Sequence, residues 1–546
     1  MSLLERVMRR ARAARHPNVL VGPAPEGALT DWNVPVRVRD GTKLRVNVFR
    51  PASNQPCPVI LSAHPYDKDQ IPARTGRVNP QYRVFLQPAP VRLSAWTSWE
   101  APDPAVWVPR GYAVVNADLR GGGTSEGTGE LFSDQEAEDY YDLIEWAGTQ
   151  PWSNGRVGLD GVSYLAISQY KVAALRPPHL AAICPWEGLS DLYRDFARPG
   201  GVREDGFRIA WSKLTAHAAR MRGSIHEEVH RRTERDAWYQ AITPQLERIQ
   251  VPVLVCGSFS DHSLHSRGSF EVWRRAGAAE RFLYTHRGGK WCEYYGSDAT
   301  ETRVRFFDRY LKQQDNGWER RPPVRLAVYE EGSLPVAVTQ EAGFPPPDLT
   351  WTKLRLSPGK LDSGGAEPHA TEAFALPDGS VAFDWLIPHD MDIIGPMALQ
   401  LPLELRDTVD AHLFAGVRKL RNGREVLFEG SFGFASDMVT RGWQRAAHRE
   451  LDQSLSTEIL PVHRHDRPEP LRPGEVVPVH IALLPHATRF RKGERLRLEL
   501  RGKWHYPRNP FYGQFPTGYQ SSPPGTCVLH LNDEAHLLLG WRPVPA

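Results

Sequence analysis

The run Gly155-Arg156-Val157-Gly158-Leu159-Asp160-Gly161-Val162-Ser163-Tyr164-Leu165-Ala166-Ile167-Ser168-Gln169-Tyr170 decides how this chain is read. Its first half is a short apolar strand. Its second half, continuing to Leu175, has helical spacing and an apolar face. Between them, Gly161-Val162-Ser163 makes a sharp turn. A serine on a strand-to-helix turn is a nucleophile elbow. The turn lifts the hydroxyl clear of the backbone and aims the N–H of the next residue, Tyr164, at the substrate oxygen. The G-x-S-x-G form of this turn has a second glycine where this chain has Leu165, and the small residue, Ala166, comes one later. A bare G-x-S is a weak signal, so its meaning rests on its surroundings.

Outward from the turn, strands alternate with helices. Trp32 to Arg39 alternates in polarity, ends at Asp40-Gly41 and returns through Leu44 to Phe49 as a hairpin. Pro58 to Ala63 and Gly111 to Asp118 are apolar runs that predict buried strands. Residues 69–106 lack periodicity and predict an excursion over one face of the sheet. Asp134 to Gly148 predicts an acidic-fronted amphipathic helix. Beyond the elbow, Ala181 to Cys184, Val251 to Gly257 and Arg281 to Thr285 predict further strands, and Thr302 to Gln314 a helix. That alternation means a mostly parallel sheet. Residues 190–248, rich in Arg, Glu, His and Trp, contain no buried strand and predict an inserted helical cap. From 325 on, long helices vanish. Alternating segments at 397–405, 412–419, 426–433, 476–484, 494–501 and 526–532 predict an all-β sandwich. The expected division is a basic N-terminal helix or arm (1–30), an α/β catalytic core (31–189 and 249–324), the cap (190–248) and the β-sandwich (325–546).

With 546 residues, 41% hydrophobic and 24% charged, the composition is that of a globular protein too long for one core. A net charge of +3 with the two signs intermixed excludes a dedicated nucleic-acid binder. No apolar run reaches the ~18 residues of a membrane span. The Arg-rich segment Met1 to Arg15 lacks the apolar core of a secretory signal, so a basic helix docked on the protein's own surface is expected. Cys57, Cys184, Cys256, Cys292 and Cys527 are scattered and odd in number, which predicts free thiols and a cytoplasmic protein. Gly121-Gly122-Gly123 is followed by no Gly-Lys-Ser/Thr and is expected as a turn, not a phosphate loop. His463-Arg464-His465-Asp466 has ligand-type residues but no obvious partners, and is expected as a solvated loop. Neither a metal nor a cofactor is expected.

A serine hydroxyl is a poor nucleophile at neutral pH and needs a base held by a carboxylate. The chain offers both at successive strand ends, in the order Ser, Asp, His. Asp261 follows the Val251–Gly257 strand through Ser258-Phe259-Ser260, and His286 follows Arg281–Thr285. That placement favours His286 as the base. His265, four residues after Asp261 on the first turn of the next helix, is the alternative, with His262 ranked below it. The oxyanion needs donors. One is the N–H of Tyr164. The other belongs to the loop His64-Pro65-Tyr66, where the Tyr66 phenol, with an ordinary pKa near ~10, stays protonated. A merely packed Tyr66 is an equal reading at this point. Trp96, Trp99, Phe207 and Trp211 are candidates to line a substrate pocket at the strand C-termini, beneath the cap.

These stretches resemble the cocaine esterase/X-Pro dipeptidyl-peptidase group of α/β hydrolases, the CocE/NonD family, almost end to end. Val36-Arg37-Val38-Arg39-Asp40-Gly41 with Leu44 is similar to its opening hairpin, and Pro65-Tyr66-Asp67-Lys68 to its P-Y-x-K loop. Asp118-Leu119-Arg120-Gly121 with Ser125-Glu126-Gly127 is similar to its D-x-R-G…S-x-G turn. Gly161-Val162-Ser163-Tyr164-Leu165-Ala166 is similar to its G-x-S-Y-x-G/A elbow, which accounts for Leu165. Ile394-Gly395-Pro396 and Phe490 to Leu498 resemble its jelly-roll signature. The resemblance implies an α/β-hydrolase core, an inserted helical cap and a C-terminal all-β jelly roll. It implies Ser163 as nucleophile, Asp261 as the triad acid, and Tyr66 and Tyr164 as the oxyanion hole. The chain departs from the pattern at the histidine: the family often shows G-P-W-x-H, and here the sequence is Leu283-Tyr284-Thr285-His286-Arg287-Gly288-Gly289-Lys290-Trp291.

The expected function is hydrolysis of a small-molecule ester, or of an amide, through an acyl-enzyme. An X-Pro dipeptidyl peptidase is the alternative, and it would need an anion such as Glu187, Asp191 or Asp195 for the substrate's amine. A carbohydrate-binding protein with an idle triad is the third reading. No nucleic acid or membrane is expected as a partner, and a homodimer is left open.

Overall fold

The chain builds its sheet outward from the hairpin, β1 (Ala28–Arg37) and β2 (Lys43–Pro51). It continues through β3 (Cys57–His64), β4 (Ala113–Asp118), β5 (Ser153–Val162), β6 (Leu180–Trp186), β7 (Val253–Ser258), β8 (Arg281–His286), β9 (Val324–Tyr329) and β10 (Pro335–Glu341). This computed structural model describes residues 8, 11–12, 14–364, 369–432, 436–506 and 518–544, without the side chains of His262 and Ser263. The lateral order is β1-β2-β4-β3-β5-β6-β7-β8-β9-β10, parallel from β4 to β9 and antiparallel at both edges. Central parallel strands must be apolar on both faces, and every residue of β3 and β4 is buried.

Two layers of helix cover the sheet. On one face α1 (Asp134–Gly148) and α2 (Tyr164–Leu175) set Leu143, Ile144 and Tyr170 against Val157 and Leu159. The Ser133 hydroxyl accepts the N–H of Glu136 at 3.1 Å and caps α1, a bond worth about 1 kcal/mol. The opposite face packs Phe306, Phe307 and Trp107 against Val162, Ala182 and Cys184. Gly158 makes this approach possible, because a Cβ there would lie 2.6 Å from the Phe307 ring.

Residues 190–248 leave the sheet as a helical cap. A π-helical turn at Leu192–Ala197 leads to α3 (Phe207–Ala218), α4 (Ile225–Arg231) and α5 (Ala237–Ile242). The chain re-enters β7, and a second π-helical turn, His262–Ser266, runs into α6 (Arg267–Arg275). After β8 come α7 (Lys290–Tyr294) and α8 (Ser297–Tyr310). At the N-terminus, the described residues 8, 11–12 and 14–15 are helical and exposed. Val19–Gly22 then pairs in parallel with Val91–Ser94, tying the arm to the 69–106 excursion.

The C-terminal part is an antiparallel β-sandwich. The long strand β14 (Met391–Arg406) pairs with β17 (Val477–Phe490), β19 (Gly525–Leu531) and β20 (His536–Pro543). β11 (Thr350–Ser357) joins β20, and β12 (Ala370–Leu376) joins β19. The second layer is β13 (Ser380–Leu386), β18 (Arg495–Arg501), β15 (His412–Arg421) and β16 (Thr440–Arg445).

Three expectations are corrected here. The boundary expected at 324/325 falls inside the first sheet, because β9 and β10 extend it to Glu341. The strand expected at 426–433 shortens to Arg424–Val426, and residues 427–432 run towards the strand C-termini of the core. The 463–466 loop is not solvated throughout: His463 and His465 are buried, and the His465 ring packs on Tyr193 and His448.

Candidate active site

Ser163 is the residue between β5 and α2, with φ 58° and ψ −115°. A non-glycine residue held there is strained and persists only where its neighbours over-determine it. They do so here. The Ser163 N–H donates to the Trp186 carbonyl at 3.0 Å, and the Val162 N–H to the Glu100 carbonyl at 3.1 Å. Gly161 has φ 150°, and a Cβ on it would lie 2.5 Å from the Leu165 Cβ. Leu165 therefore packs directly on Gly161. Ala166 meets Gly188 instead, where an added Cβ would come within 3.1 Å of its own.

The imidazole that meets Ser163 comes from the turn after β7. Ser163 Oγ lies 3.1 Å from His265 Nε2. His265 Nδ1 hydrogen-bonds Asp261 Oδ2. The spacing of four residues puts both groups on one π-helical turn, one above the other, so a single local structure presents the imidazole and its carboxylate. Burial and the nearby Lys290 ammonium hold the His265 imidazole below its usual pKa, against the pull of Asp261. Burial would raise the Asp261 carboxyl, but Lys290 and His265 reverse that and keep it well below the usual carboxylate range.

His286, expected as the base, is not brought to Ser163. It is the last residue of β8, fully buried, with Nε2 2.9 Å from Glu187 Oε1 and its ring against Trp186. From the end of β8 its side chain reaches across the end of β7 to Glu187, which follows β6. The side chain of His262 lies outside the described residues.

Tyr66 and Tyr164 flank the serine. The Tyr66 oxygen accepts the Trp211 indole N–H at 2.8 Å. The phenol's own proton has no acceptor among the described residues, and burial pushes its pKa up, so it remains a donor. The loop is pinned from below. The Lys68 N–H donates to Asp118 Oδ1 at 2.6 Å, and its ammonium to Oδ2 at 3.1 Å. Arg120 in turn grips Asp139 of α1 with two bonds of 2.7 Å. The Tyr164 N–H starts α2, where an amide lacks an intrahelical acceptor.

A cavity of about 200 Å³ opens above Ser163. Trp99, Phe207 and Trp211 line it, as expected for a pocket; Trp96 does not. Trp96 stacks on Phe49 and meets Trp32 edge-on, away from the cavity. Among the lining residues that sequence reasoning missed are Glu100, Lys290, Trp291 and Phe432. Glu100 has φ 60°, and its Oε1 accepts the Trp291 indole N–H at 3.0 Å. Burial pushes its carboxyl up to about 8. Phe432 arrives from the C-terminal sandwich. Asp191 and Asp195, considered as amine-binding anions, are buried in ion pairs with Arg194, Arg235 and Arg267 and do not line the cavity. All five cysteines are unpaired, and no described helix is long and apolar enough to cross a membrane.

Two family models match the chain: X-Pro dipeptidyl-peptidase (S15 family) over residues 40–227, and X-Pro dipeptidyl-peptidase C-terminal non-catalytic domain over residues 316–511. Cocaine esterase of Rhodococcus sp. (strain MB1 Bresler) is 36% identical over 183 residues, which span 33% of this chain and 28% of that protein. An α-amino acid ester hydrolase, 16% identical, shares the fold with a TM-score of 0.66 over 96% of this chain and 98% of that one. A CocE/NonD family hydrolase from Staphylococcus aureus superposes with a TM-score of 0.88 at 34% identity, over 94% of this chain and 93% of that one. With a nucleophile elbow on an α/β sheet, a β-sandwich behind it and that likeness along nearly its whole length, the chain belongs to the CocE/NonD family of hydrolases.

Proposed function

We propose that this serine hydrolase cleaves an ester of a small acyl group through an acyl-enzyme, with Ser163 as nucleophile, His265 as general base and Asp261 as the carboxylate that orients it. The observation that carries this reading is the hydrogen-bonded line from Asp261 through His265 to Ser163, ending on a strained elbow beneath an apolar cavity. His265 Nε2 takes the Ser163 proton as Oγ attacks the ester carbonyl. The oxyanion then meets the Tyr66 O–H and the Tyr164 N–H. His265 returns the proton to the leaving alcohol, and water repeats the sequence to release the acid. A cavity of about 200 Å³ exceeds the ~150 Å³ that houses benzene, which suits an acyl group of one ring or a short branched chain.

A second reading, cleavage after a dipeptide with a free amine, draws support from one observation: Glu100 is the carboxyl in the cavity wall. Two facts weigh against it. Glu100 is pushed up to about 8 by burial and is mostly protonated near neutral pH, a weak anchor for an ammonium. Lys290 also lines the same cavity.

A panel of aryl esters graded by acyl size, run beside an Ala-Pro-arylamide, separates the readings. Esters of small acyl groups are expected to turn over and the arylamide to lag far behind. Ser163→Ala and His265→Ala are each expected to lower ester kcat/KM by at least ~10³. Ester turnover that survives Ser163→Ala would sink the proposal. Glu100→Gln is expected to change ester kcat/KM by less than ~threefold. A selective loss of arylamide cleavage in that variant would favour the peptidase.

A further inference from the structure

Around the base lies a group of charges of which the acyl-transfer steps use only Asp261 and His265. Glu187, Asp261 and His265 offer three donor atoms within 4.8 Å of one another, a grouping with the chemistry of a cation site. The chain supplies its own cation. Lys290 Nζ lies 2.8 Å from Asp261 Oδ2, 2.9 Å from His265 Nδ1 and 3.7 Å from Glu187 Oε2. The Lys290 side chain is almost fully buried, at 1% exposure. Its backbone N–H donates to the Ser431 carbonyl at 2.8 Å, and Nζ sits 4.8 Å from the centre of the Phe432 ring. The Ser431 hydroxyl donates to Glu187 Oε2 at 3.2 Å, and Glu187 Oε1 holds His286. Asp261 Oδ1 has no hydrogen-bond partner among the described residues. Among those residues the donors to this carboxylate are His265 and Lys290, and both use the same oxygen.

That sharing has a chemical consequence. In an ordinary triad the carboxylate stabilises the imidazolium that forms when the serine is deprotonated. Here a fixed positive charge stands beside the same carboxylate and the same ring. We infer that Lys290 is a positioning residue for the base: it pins Asp261 Oδ2 against His265 and tempers the proton affinity of the imidazole. The titratable groups around this turn are Asp261 at its start, Lys290 from α7, Glu187 from the end of β6 with His286 of β8 behind it, the mostly protonated Glu100 in the cavity wall, and the Asp195–Arg267 ion pair of the adjoining π-helical turn and α6. Of these, Lys290 is the cation that touches the ring. His265 thus stays neutral, and able to accept a proton, further into mildly acidic solution. The imidazolium formed during turnover is correspondingly the stronger acid towards the leaving alcohol. The direction of the His265 shift agrees, since burial and then Lys290 lower it.

This inference rests on the proposed role of His265, and the test keeps the two apart. The pH profile of ester kcat/KM is measured for the wild type, Lys290→Met, Lys290→Gln and Lys290→Arg, each shown by circular dichroism to be folded. Labelling of Ser163 by a fluorophosphonate is followed over the same pH range. Two unit charges a few ångströms apart near a protein surface interact by ~4 kcal/mol at an effective dielectric of 20. Even a third of that moves a pKa by about one unit. The acid limb of Lys290→Met is expected to rise by at least about one pH unit, and that of Lys290→Arg to stay near the wild-type position. Lys290→Gln, which keeps a donor towards Asp261, carries the test if the Met variant does not accumulate. Folded, labelled neutral variants with an unmoved acid limb would overturn the inference and leave the Ser163–His265 reading intact. A wild type that takes no label at Ser163 would overturn both.

Discussion

At the scale of single residues, reactivity here is made by confinement. Ser163 is held at a positive φ by two backbone hydrogen bonds from its own turn, and among the described residues the neighbour that can accept its hydroxyl proton is His265. The Tyr66 oxygen accepts the Trp211 indole N–H, and in the proposed mechanism its own proton is given to the oxyanion. Tyr66→Phe removes that donor and little volume, so kcat for an activated ester is expected to fall by ~10² to 10³, while stability falls by the ~1 to 3 kcal/mol of leaving the Trp211 indole N–H without its acceptor. Steady-state kinetics beside a melting curve checks both parts. Glu100 gives a pH prediction with a definite sign. Its folded-state pKa, pushed up to about 8 by burial, lies above the ordinary ~4.3 of an unfolded glutamate. Between those values the folded state binds the extra proton, so this carboxyl makes stability fall as pH rises from about 4.3 to 8. Glu100→Gln removes that slope: its Tm relative to wild type is expected to climb across the interval. Parallel Tm curves would contradict it.

At the scale of elements, the elbow was legible because strand, turn and helix are local. Periodicity marked β5 and α2, and Gly161 marked the turn. What placed Leu165 was equally local, the packing of the first helical turn back on Gly161, whereas Ala166 answers to Gly188 beyond β6. Gly161→Ala forces a Cβ into Leu165, and the variant is expected to lose at least ~2 kcal/mol in denaturant titration and to take up fluorophosphonate slowly. The histidine shows where local reading stops. An i, i+4 pair on a turn, Asp261 and His265, was visible in the sequence. A strand-end histidine matched the expected architecture better, and only the direction of the β8 side chains, towards Glu187, excludes His286. Periodicity says that a strand ends at His286; it does not say which neighbour its imidazole meets. Trp96 failed for the same reason. It sits three residues from Trp99 in a stretch without periodicity, and the sheet separates their rings.

At the scale of the whole molecule, three parts converge on one cavity: the α/β core, the cap through α3, and the β-sandwich through residues 427–432. The division into α/β, helical and all-β stretches could be read from the change in residue pattern along the chain. The convergence could not, because Phe432 and Trp99 are more than 300 residues apart in sequence. The joint between core and sandwich is made of buried charge. Arg287, next to His286, donates to Asp437 Oδ2 at 3.0 Å and to the Val439 carbonyl at 3.1 Å. Arg287→Met removes one of the two arginines that hold Asp437, with Arg441 keeping the other oxygen, and a loss of ~1 to 3 kcal/mol is expected. Because the joint adjoins Lys290 and its Ser431 anchor, the loss should appear in ester turnover before global unfolding. Activity and circular dichroism followed along one urea titration would show it.

The central claim is that Ser163 is activated by His265, not by His286. Intact-mass analysis after brief fluorophosphonate treatment tests it directly on the wild type, Ser163→Ala, His265→Ala and His286→Gln. The account predicts one adduct on the wild type, none on Ser163→Ala, almost none on His265→Ala, and an adduct on folded His286→Gln. Full labelling of His265→Ala together with none on a folded His286→Gln would contradict it.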